Sequence, residues 1–314
     1  MKGVGIVKKY LYVINYPEYE KELAMMEFRK LFKADTEEKY LFSNIYVNPS
    51  RSPFLKEMIK IKFSCIEFRE IIEYINCNNL TYDDFKVIYI KFNGDKLKYK
   101  ERLDCVREVG ININGEANIH NPKNILALTY FNGEWIFGEY EKNDYEWHIF
   151  ERKPYNYSNS LGMRVAKALV NIAVGLDQDI KLVDPCCGVG TVVLQALDMG
   201  IDVKGYEINK QIACNARNNL EFFGFERDII IPKDMHLVDQ SYDVGIIDLP
   251  YGLFTPITPS EQKALINSAR RLCNKLVLVV FEDMNDMIVE AGFNIEDTCV
   301  VHKGKFKRII HICS

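Results

Sequence analysis

From residue 180 onward, short apolar runs alternate with longer amphipathic stretches, and this alternation limits the possible folds more than any other feature of the chain. Ile180-Lys181-Leu182-Val183, Val203-Lys204-Gly205-Tyr206, Ile229-Ile230-Ile231 and Val244-Gly245-Ile246-Ile247 each read as a buried strand. Helices are expected over Thr191–Met199, Asn209–Phe223, Ser260–Cys273 and Asp283–Ala291. Strands that alternate with helices build a mainly parallel sheet covered on both faces. The finish departs from that rule, because Ile295–Val301 and Arg308–Cys313 have no helix between them and read as a hairpin. Open α/β sheets bind ligands beyond the C-terminal ends of their strands, so the residues just after each run are the candidates for a site.

Those residues are glycines and acids. The first run leads into Asp184-Pro185-Cys186-Cys187-Gly188-Val189-Gly190-Thr191. Glycines let the backbone approach a ligand, and a helix starting at Thr191 would turn its N-terminal N–H groups toward the site. The second run ends at Glu207, an acceptor for the hydroxyl protons of a ribose. Asp234 follows the third run after Pro232 and Lys233, where it could meet the amino group of an adenine. Val193 stands where a dinucleotide fingerprint keeps its third small residue, so a ribose without a pyrophosphate fits better, S-adenosylmethionine rather than NAD. Each acid alone reads as a solvated loop residue; acids after three successive strands, with glycines after the first, do not read as chance.

The fourth run delivers Asp248-Leu249-Pro250-Tyr251. An exocyclic amine of a nucleobase is a poor nucleophile because its lone pair is delocalised into the ring. A carboxylate and a backbone carbonyl that accept its N–H hydrogens favour a pyramidal nitrogen, and Asp248 with the Leu249 carbonyl could supply them. Pro250 restrains the direction of that carbonyl, and Tyr251 offers a ring face to an unstacked base. Taken alone, the tetrapeptide reads equally well as a turn that closes a strand.

Together, Asp184 to Thr191, Gly205-Tyr206-Glu207 and Asp248 to Gly252 resemble the THUMP-associated RNA methyltransferases that modify the N2 amine of guanosine in tRNA. The stretch Asn156 to Asn171 is similar to the segment that precedes the first motif in that family. Val109-Gly110 with Asn121 to Ile125 resembles the second half of a THUMP module. The resemblance implies a Rossmann-like class I methyltransferase domain of α/β class with a terminal β-hairpin, preceded by small α+β domains. It implies S-adenosylmethionine at Asp184, Cys186, Gly188, Gly190, Thr191, Glu207 and Asp234, and catalysis at Asp248, Leu249, Pro250 and Tyr251. Leu249 replaces the first proline of the usual acid-Pro-Pro-aromatic loop, which leaves the choice of base open. Relatives differ in whether they use a small activating subunit, and nothing in the sequence requires one. The competing readings are amino methylation of adenine or cytosine in rRNA or DNA, and an RNA-binding protein that has lost activity.

The chain's 314 residues are expected to form an N-terminal α+β domain over 1–60, a THUMP-like RNA-binding domain over 61–141, a linker over 142–157 and the methyltransferase domain over 158–314. A helix from Glu18 to Phe32 and a second after Pro53 are expected in the first. No run is long and apolar enough to span a bilayer, and Met1 to Lys9 lacks a signal-peptide core, so cytoplasm is expected. Nine cysteines without a Cys-x-x-Cys pair argue against disulfide scaffolding and zinc. Residues 1–157 hold 24 Lys and Arg against 24 Asp and Glu, and residues 158–314 hold 16 against 20, so the net charge of −4 lies in the C-terminal half. A balanced front half can still present a basic face. Lys96, Lys98 and Lys100, interleaved with Leu97 and Tyr99, and Lys305 and Lys307 in a turn near the C-terminus are the candidates for RNA phosphates.

Overall fold

A computed structural model describes residues 9–157, 160–250, 257–303 and 306–314, without the side chains of residues 303 and 306. In chain order it runs β1 (Tyr10–Ile14), α1 (Lys21–Phe32), β2 (Tyr40–Ser43), β3 (Leu55–Cys65), α2 (Phe68–Cys77), β4 (Phe85–Tyr89), α3 (Tyr99–Asn112), β5 (Asn124–Phe131) and β6 (Glu134–Lys142). There follow α4 (Met163–Val174), β7 (Lys181–Asp184), α5 (Thr191–Asp198), β8 (Asp202–Tyr206), α6 (Lys210–Phe222), β9 (Ile230–Ile231), β10 (Tyr242–Asp248), α7 (Pro259–Leu272), β11 (Cys273–Val280), α8 (Asn285–Glu290), β12 (Ile295–Lys303) and β13 (Phe306–Cys313). Two compact units interleave along the chain. One comprises Met1–Asn15, Thr36–Ser50 and Leu55–Asp144; the other comprises Tyr16–Asp35, Arg51–Phe54 and Tyr145–Ser314.

The first unit is built on one six-stranded sheet in the order β2-β1-β3-β6-β5-β4. All neighbours are antiparallel except β4 and β5. Ile71 and Ile75 of α2 and Val109 of α3 pack with Phe85, Leu126 and Phe137 of the sheet. Asn132 and Gly133, both at positive φ, turn β5 into β6, as a two-residue hairpin requires. The segment after Pro53, expected as a helix, is instead the eleven-residue strand β3. It lies between β1 and β6, with Leu55, Met58 and Ile59 all buried. A strand covered on both faces loses the alternation that marks a strand in sequence, which explains the misreading. The boundary expected between residues 60 and 61 falls inside this strand, and one sheet draws on both expected N-terminal segments.

The second unit holds a seven-stranded sheet in the order β12-β13-β11-β10-β7-β8-β9. β9, β8, β7, β10 and β11 are parallel, and β13 is antiparallel to both β11 and β12. The terminal hairpin is therefore present, with its strands paired from Ile295 to Cys313. α4 is buried at every position except Arg164 and Ala173. A helix buried all round needs cover on every side. Its cover is α5, β10, β11, the 3-10 turn Glu146–Arg152 and, from the other end of the chain, α1.

α1 packs on α4, and polar groups fasten the contact. Glu27, fully buried on α1, accepts hydrogen bonds from the Ser52 hydroxyl and from Asn171 Nδ2 at 2.6 Å. Arg51 donates to Asn171 Oδ1 at 2.8 Å and to the Gly175 carbonyl at 3.1 Å. α1 also binds β12, through Arg29 with Asp297 at 2.7 Å and Glu22, which accepts from the Val300 N–H at 2.7 Å. Residues 142–157, expected as a polar linker, carry Trp147 and Phe150, and both side chains are buried in this unit. Among the described residues, no helix is long and apolar enough to cross a membrane.

Burial pushes the Glu27 carboxyl up to about 7, against the pull of its hydrogen bonds to Ser52 and Asn171. A folded-state value above the unfolded one gives stability that is complete below about pH 4.5 and is lost as pH rises toward 7. We predict that the melting temperature falls across that interval and that Glu27→Gln, which cannot ionise, makes the fall shallower. Thermal melts from pH 4.5 to 8 check this; an unchanged slope in the variant would remove Glu27 as a cause.

Candidate active site

Parallel pairing brings the ends of β7, β8 and β10 to one edge of the sheet. Asp184 is opposite Gly205, and Gly245 is opposite Val183, so the residues after each strand emerge on the same side. There Asp184, Glu207, Asp234 and Asp248 line a single cavity of about 520 Å³ within the second unit. That volume lies in the range of small-molecule sites.

The glycine loop after β7 is held by its neighbours rather than by its own side chains. Gly188 has φ +52° and Gly190 φ +81°, left-handed conformations that a side chain strains. The Cys187 N–H donates to the Tyr206 carbonyl at 2.9 Å, and the Gly190 N–H donates to the Cys187 carbonyl at 2.8 Å. The Glu207 carboxylate accepts from the Gly188 N–H at 3.1 Å and from the Asn209 N–H at 2.8 Å, tying the loop to the next strand. Gly205 permits this approach. A Cβ there would stand 2.7 Å from Ile230 Cδ1, 3.0 Å from Val193 Cγ2 and 3.1 Å from Cys187 Sγ.

Low dielectric and like charge shape the acids. Burial, with Asp248 and Glu207 nearby, pushes the Asp184 carboxyl up to about 8, although the Cys186 N–H at 3.3 Å pulls the other way. Burial also raises Glu207. Asp248 is raised to about 6 by burial, opposed by the positive charge of Arg308. Its Oδ1 is buried and has no hydrogen-bond partner among the described residues. The hydroxyl of Thr191, a cavity-lining residue at the first turn of α5, is likewise buried without a partner among the described residues. Such orphaned acceptors are rare in folded proteins, and at a cavity they are where a ligand's donors belong. Asp234 accepts from the His236 N–H at 2.9 Å and caps the short turn Met235–Leu237. Burial and the surrounding carboxylates push the Cys186 thiol up, which rules against a thiolate nucleophile.

Of the residues singled out in the sequence, Asp184, Cys186, Gly188, Thr191, Glu207, Asp234, Asp248, Leu249 and Pro250 line the cavity. Gly190 does not; it caps α5, with its Cα turned toward Leu220 and Ala216. The Leu249 N–H donates to the Val279 carbonyl at 2.9 Å, and the Pro250 carbonyl accepts from Gln262 Nε2 at 3.2 Å, so the start of this loop is pinned. Tyr251 and Lys305 lie outside the described residues. Lys96, Lys98 and Lys100 are exposed in the first unit, around the start of α3, and Lys307 is exposed on β13. Sequence reasoning missed, among other lining residues, Tyr157, Ser160 and Leu161 before α4, His236, and Glu261 and Leu265 of α7. Only the tertiary fold places them there, since none follows a strand of the sheet directly.

A parallel sheet that turns antiparallel at its last strand pair, with a glycine loop after one strand and an acid after the next, defines a class I methyltransferase domain. Residues 151–302 match the UPF0020 family, described as RMKL-like, methyltransferase domain. The chain is 29% identical over 104 residues to a tRNA (guanine(10)-N2)-dimethyltransferase of Methanothermobacter thermautotrophicus, covering 32% of this chain and 31% of that one. It is 25% identical over 212 residues to a protein of the same name from Methanocaldococcus jannaschii, covering 60% of each. It is 28% identical over 146 residues to the mouse U6 snRNA (guanine-N(2))-methyltransferase THUMPD2, covering 43% of this chain and 28% of that one. The matches thus span less than two thirds of the length of these relatives.

The tight fit at Gly205 yields a prediction. Gly205→Ala should displace Cys187 and the glycine loop and lower unfolding stability by about 1–3 kcal/mol, the usual cost of overpacking a filled core. Urea denaturation measures it; wild-type stability would mean that the loop yields without cost.

Proposed function

We propose that this protein is an S-adenosylmethionine-dependent methyltransferase acting on the N2 amine of a guanosine in tRNA. The observation that carries the reading is the buried Asp248 Oδ1, unpartnered among the described residues, on the same cavity as the Gly188 loop and Glu207. A buried acceptor left unsatisfied costs about 1–3 kcal/mol, which a ligand N–H offsets. The names of the relatives supply the guanine-N2 and tRNA parts of the proposal.

The residues present fit that cofactor. S-adenosylmethionine supplies, when bound, a methyl group on a sulfonium centre for transfer. Glu207 is placed to accept ribose hydroxyl protons, and Asp234 to accept from an adenine amino group. The carboxylates around the cavity complement a ligand that carries positive charge. Asp248 and the Leu249 carbonyl would take the two N–H hydrogens of the guanine amine and turn its lone pair toward the methyl. Much of the acceleration would come from that alignment. The amine must shed a proton as its new C–N bond forms, and the Asp248 carboxylate, raised to about 6, is a suitable acceptor near neutral pH. The ring of Tyr251 would support the flipped base.

In this reading the first unit, a THUMP-like module, holds the tRNA, with Lys96, Lys98 and Lys100 on phosphates and Lys307 as a further phosphate contact. The protein would work in the cytoplasm, where tRNA is modified. Mass spectrometry of tRNA nucleosides from a strain lacking the protein tests the reaction: loss of N2-methylated guanosine is expected, and an unchanged profile would overturn it.

The role of Asp248 gives a pH prediction. Its carboxyl must be ionised to accept the amine hydrogen, so the single-turnover rate should fall as pH drops through about 6. Asp248→Asn should be slow at every pH and lose that acid limb, with cofactor affinity changed less than turnover. A folded Asp248→Ala variant that reacts at the wild-type rate would eliminate the catalytic role.

A further inference from the structure

α6 carries two asparagines one turn apart, Asn215 and Asn219, on the face turned toward the chain segment that precedes α4. Asn219 is fully buried. Its Oδ1 accepts from the Tyr155 N–H at 2.9 Å, and its Nδ2 donates to the Tyr155 carbonyl at 2.9 Å and to the Val189 carbonyl at 2.9 Å. One amide thus uses its acceptor and both of its donors, all on backbone groups. Asn215 Nδ2 donates to the Tyr157 hydroxyl at 3.1 Å, and Asn215 Oδ1 accepts from Gln211 Nε2 at 3.2 Å. Residues four apart on a helix share a face. The pairs 219 with 155 and 215 with 157 therefore zip this segment onto α6.

Both ends of that zipper reach the cavity. Val189 stands between the two glycines of the loop and lines the cavity, as does Tyr157. We propose that Asn219 is a positioning residue for the cofactor: it sets the Val189 carbonyl, and with it the loop, and through the same side chain it holds the Tyr155 backbone, two residues before the Tyr157 wall whose hydroxyl Asn215 binds. The inference rests on the reading of this cavity as the S-adenosylmethionine site. Removing the amide leaves the Val189 and Tyr155 carbonyls without that donor and releases the loop from the segment together.

A purely structural role is separated by a matched control. Asn171 is also fully buried and also bridges chain segments, between α4, Glu27 and Arg51, but it is not among the described residues that line the cavity. The experiment is calorimetric titration of the full-length protein with S-adenosylhomocysteine, with melting curves on the same samples, for wild type, Asn219→Ala, Asn219→Asp and Asn171→Ala. The expected result is at least ten-fold weaker binding by Asn219→Ala in a sample that still melts cooperatively. Asn219→Asp keeps an acceptor for the Tyr155 N–H but no donors, and should fail to restore affinity. Asn171→Ala should lose stability and keep wild-type affinity. If Asn219→Ala does not fold, Asn215→Ala carries the test, with about three-fold weaker binding expected from loss of the Tyr157 contact. Wild-type affinity in the folded Asn219 variants, in Asn215→Ala where it stands in, or an equal loss in Asn171→Ala, would overturn the inference. No binding by the wild-type protein would instead sink the reading of the cavity, and the inference with it.

Discussion

A parallel sheet that ends in an antiparallel hairpin lacks a crossover helix over its last strands, and the rest of this unit depends on how that face is covered. The cover is α1, which comes from residues 21–32 and packs on both α4 and β12. Without it, Asn171 on α4 and the Cys299 side of β12 would meet water, and the buried carboxyl of Glu27 would have no reason to exist. The chain therefore leaves the first unit after β1, adds a helix to the second, and returns for β2. Residues 51–54 repeat the excursion and bring Arg51 and Ser52 to the same polar cluster. Buried ionisable groups of this kind are costly unless each is satisfied, so the cluster ties the pairing of these segments to specific partners.

The same economy of position operates at the cavity. Four carboxyl groups converge where parallel strands end, and burial raises three of them, Asp184, Glu207 and Asp248, with the charges of the other two adding to the rise at Asp184. A site that disfavours its own negative charge stands ready for a cation or for N–H donors. Around it the loops are held from behind by Glu207 on the Gly188 N–H, by Gln262 on the Pro250 carbonyl and by Asn219 on the Val189 carbonyl. Side chains that bind backbone rather than ligand set the precision of such a site.

Much of the second unit was legible because its signals are local. Apolar runs marked β7, β8, β9 and β10, and helical spacing marked α5 to α8 within a few residues of their bounds. The absence of a helix between the last two runs foretold the hairpin. β3 was not legible: Leu55, Met58 and Ile59 are buried on both faces, and without alternation the segment reads as a helix. Residues 142–157 read as a linker because they are polar on average, while Trp147 and Phe150, which decide their packing, are only two positions among many.

By itself, the sequence determined that strands and helices alternate over the C-terminal half, that acids and glycines follow the strands, and that these lie at one sheet edge, because period and chain direction are properties of neighbours along the chain. Only the tertiary structure decided that α1 belongs with the C-terminal unit, that Tyr157 and His236 wall the cavity, and that Asn219 joins the glycine loop to the segment before α4. Those contacts join residues dozens to hundreds of positions apart, and they follow from which surfaces need cover and which buried polar atoms need partners, a condition that no local pattern records.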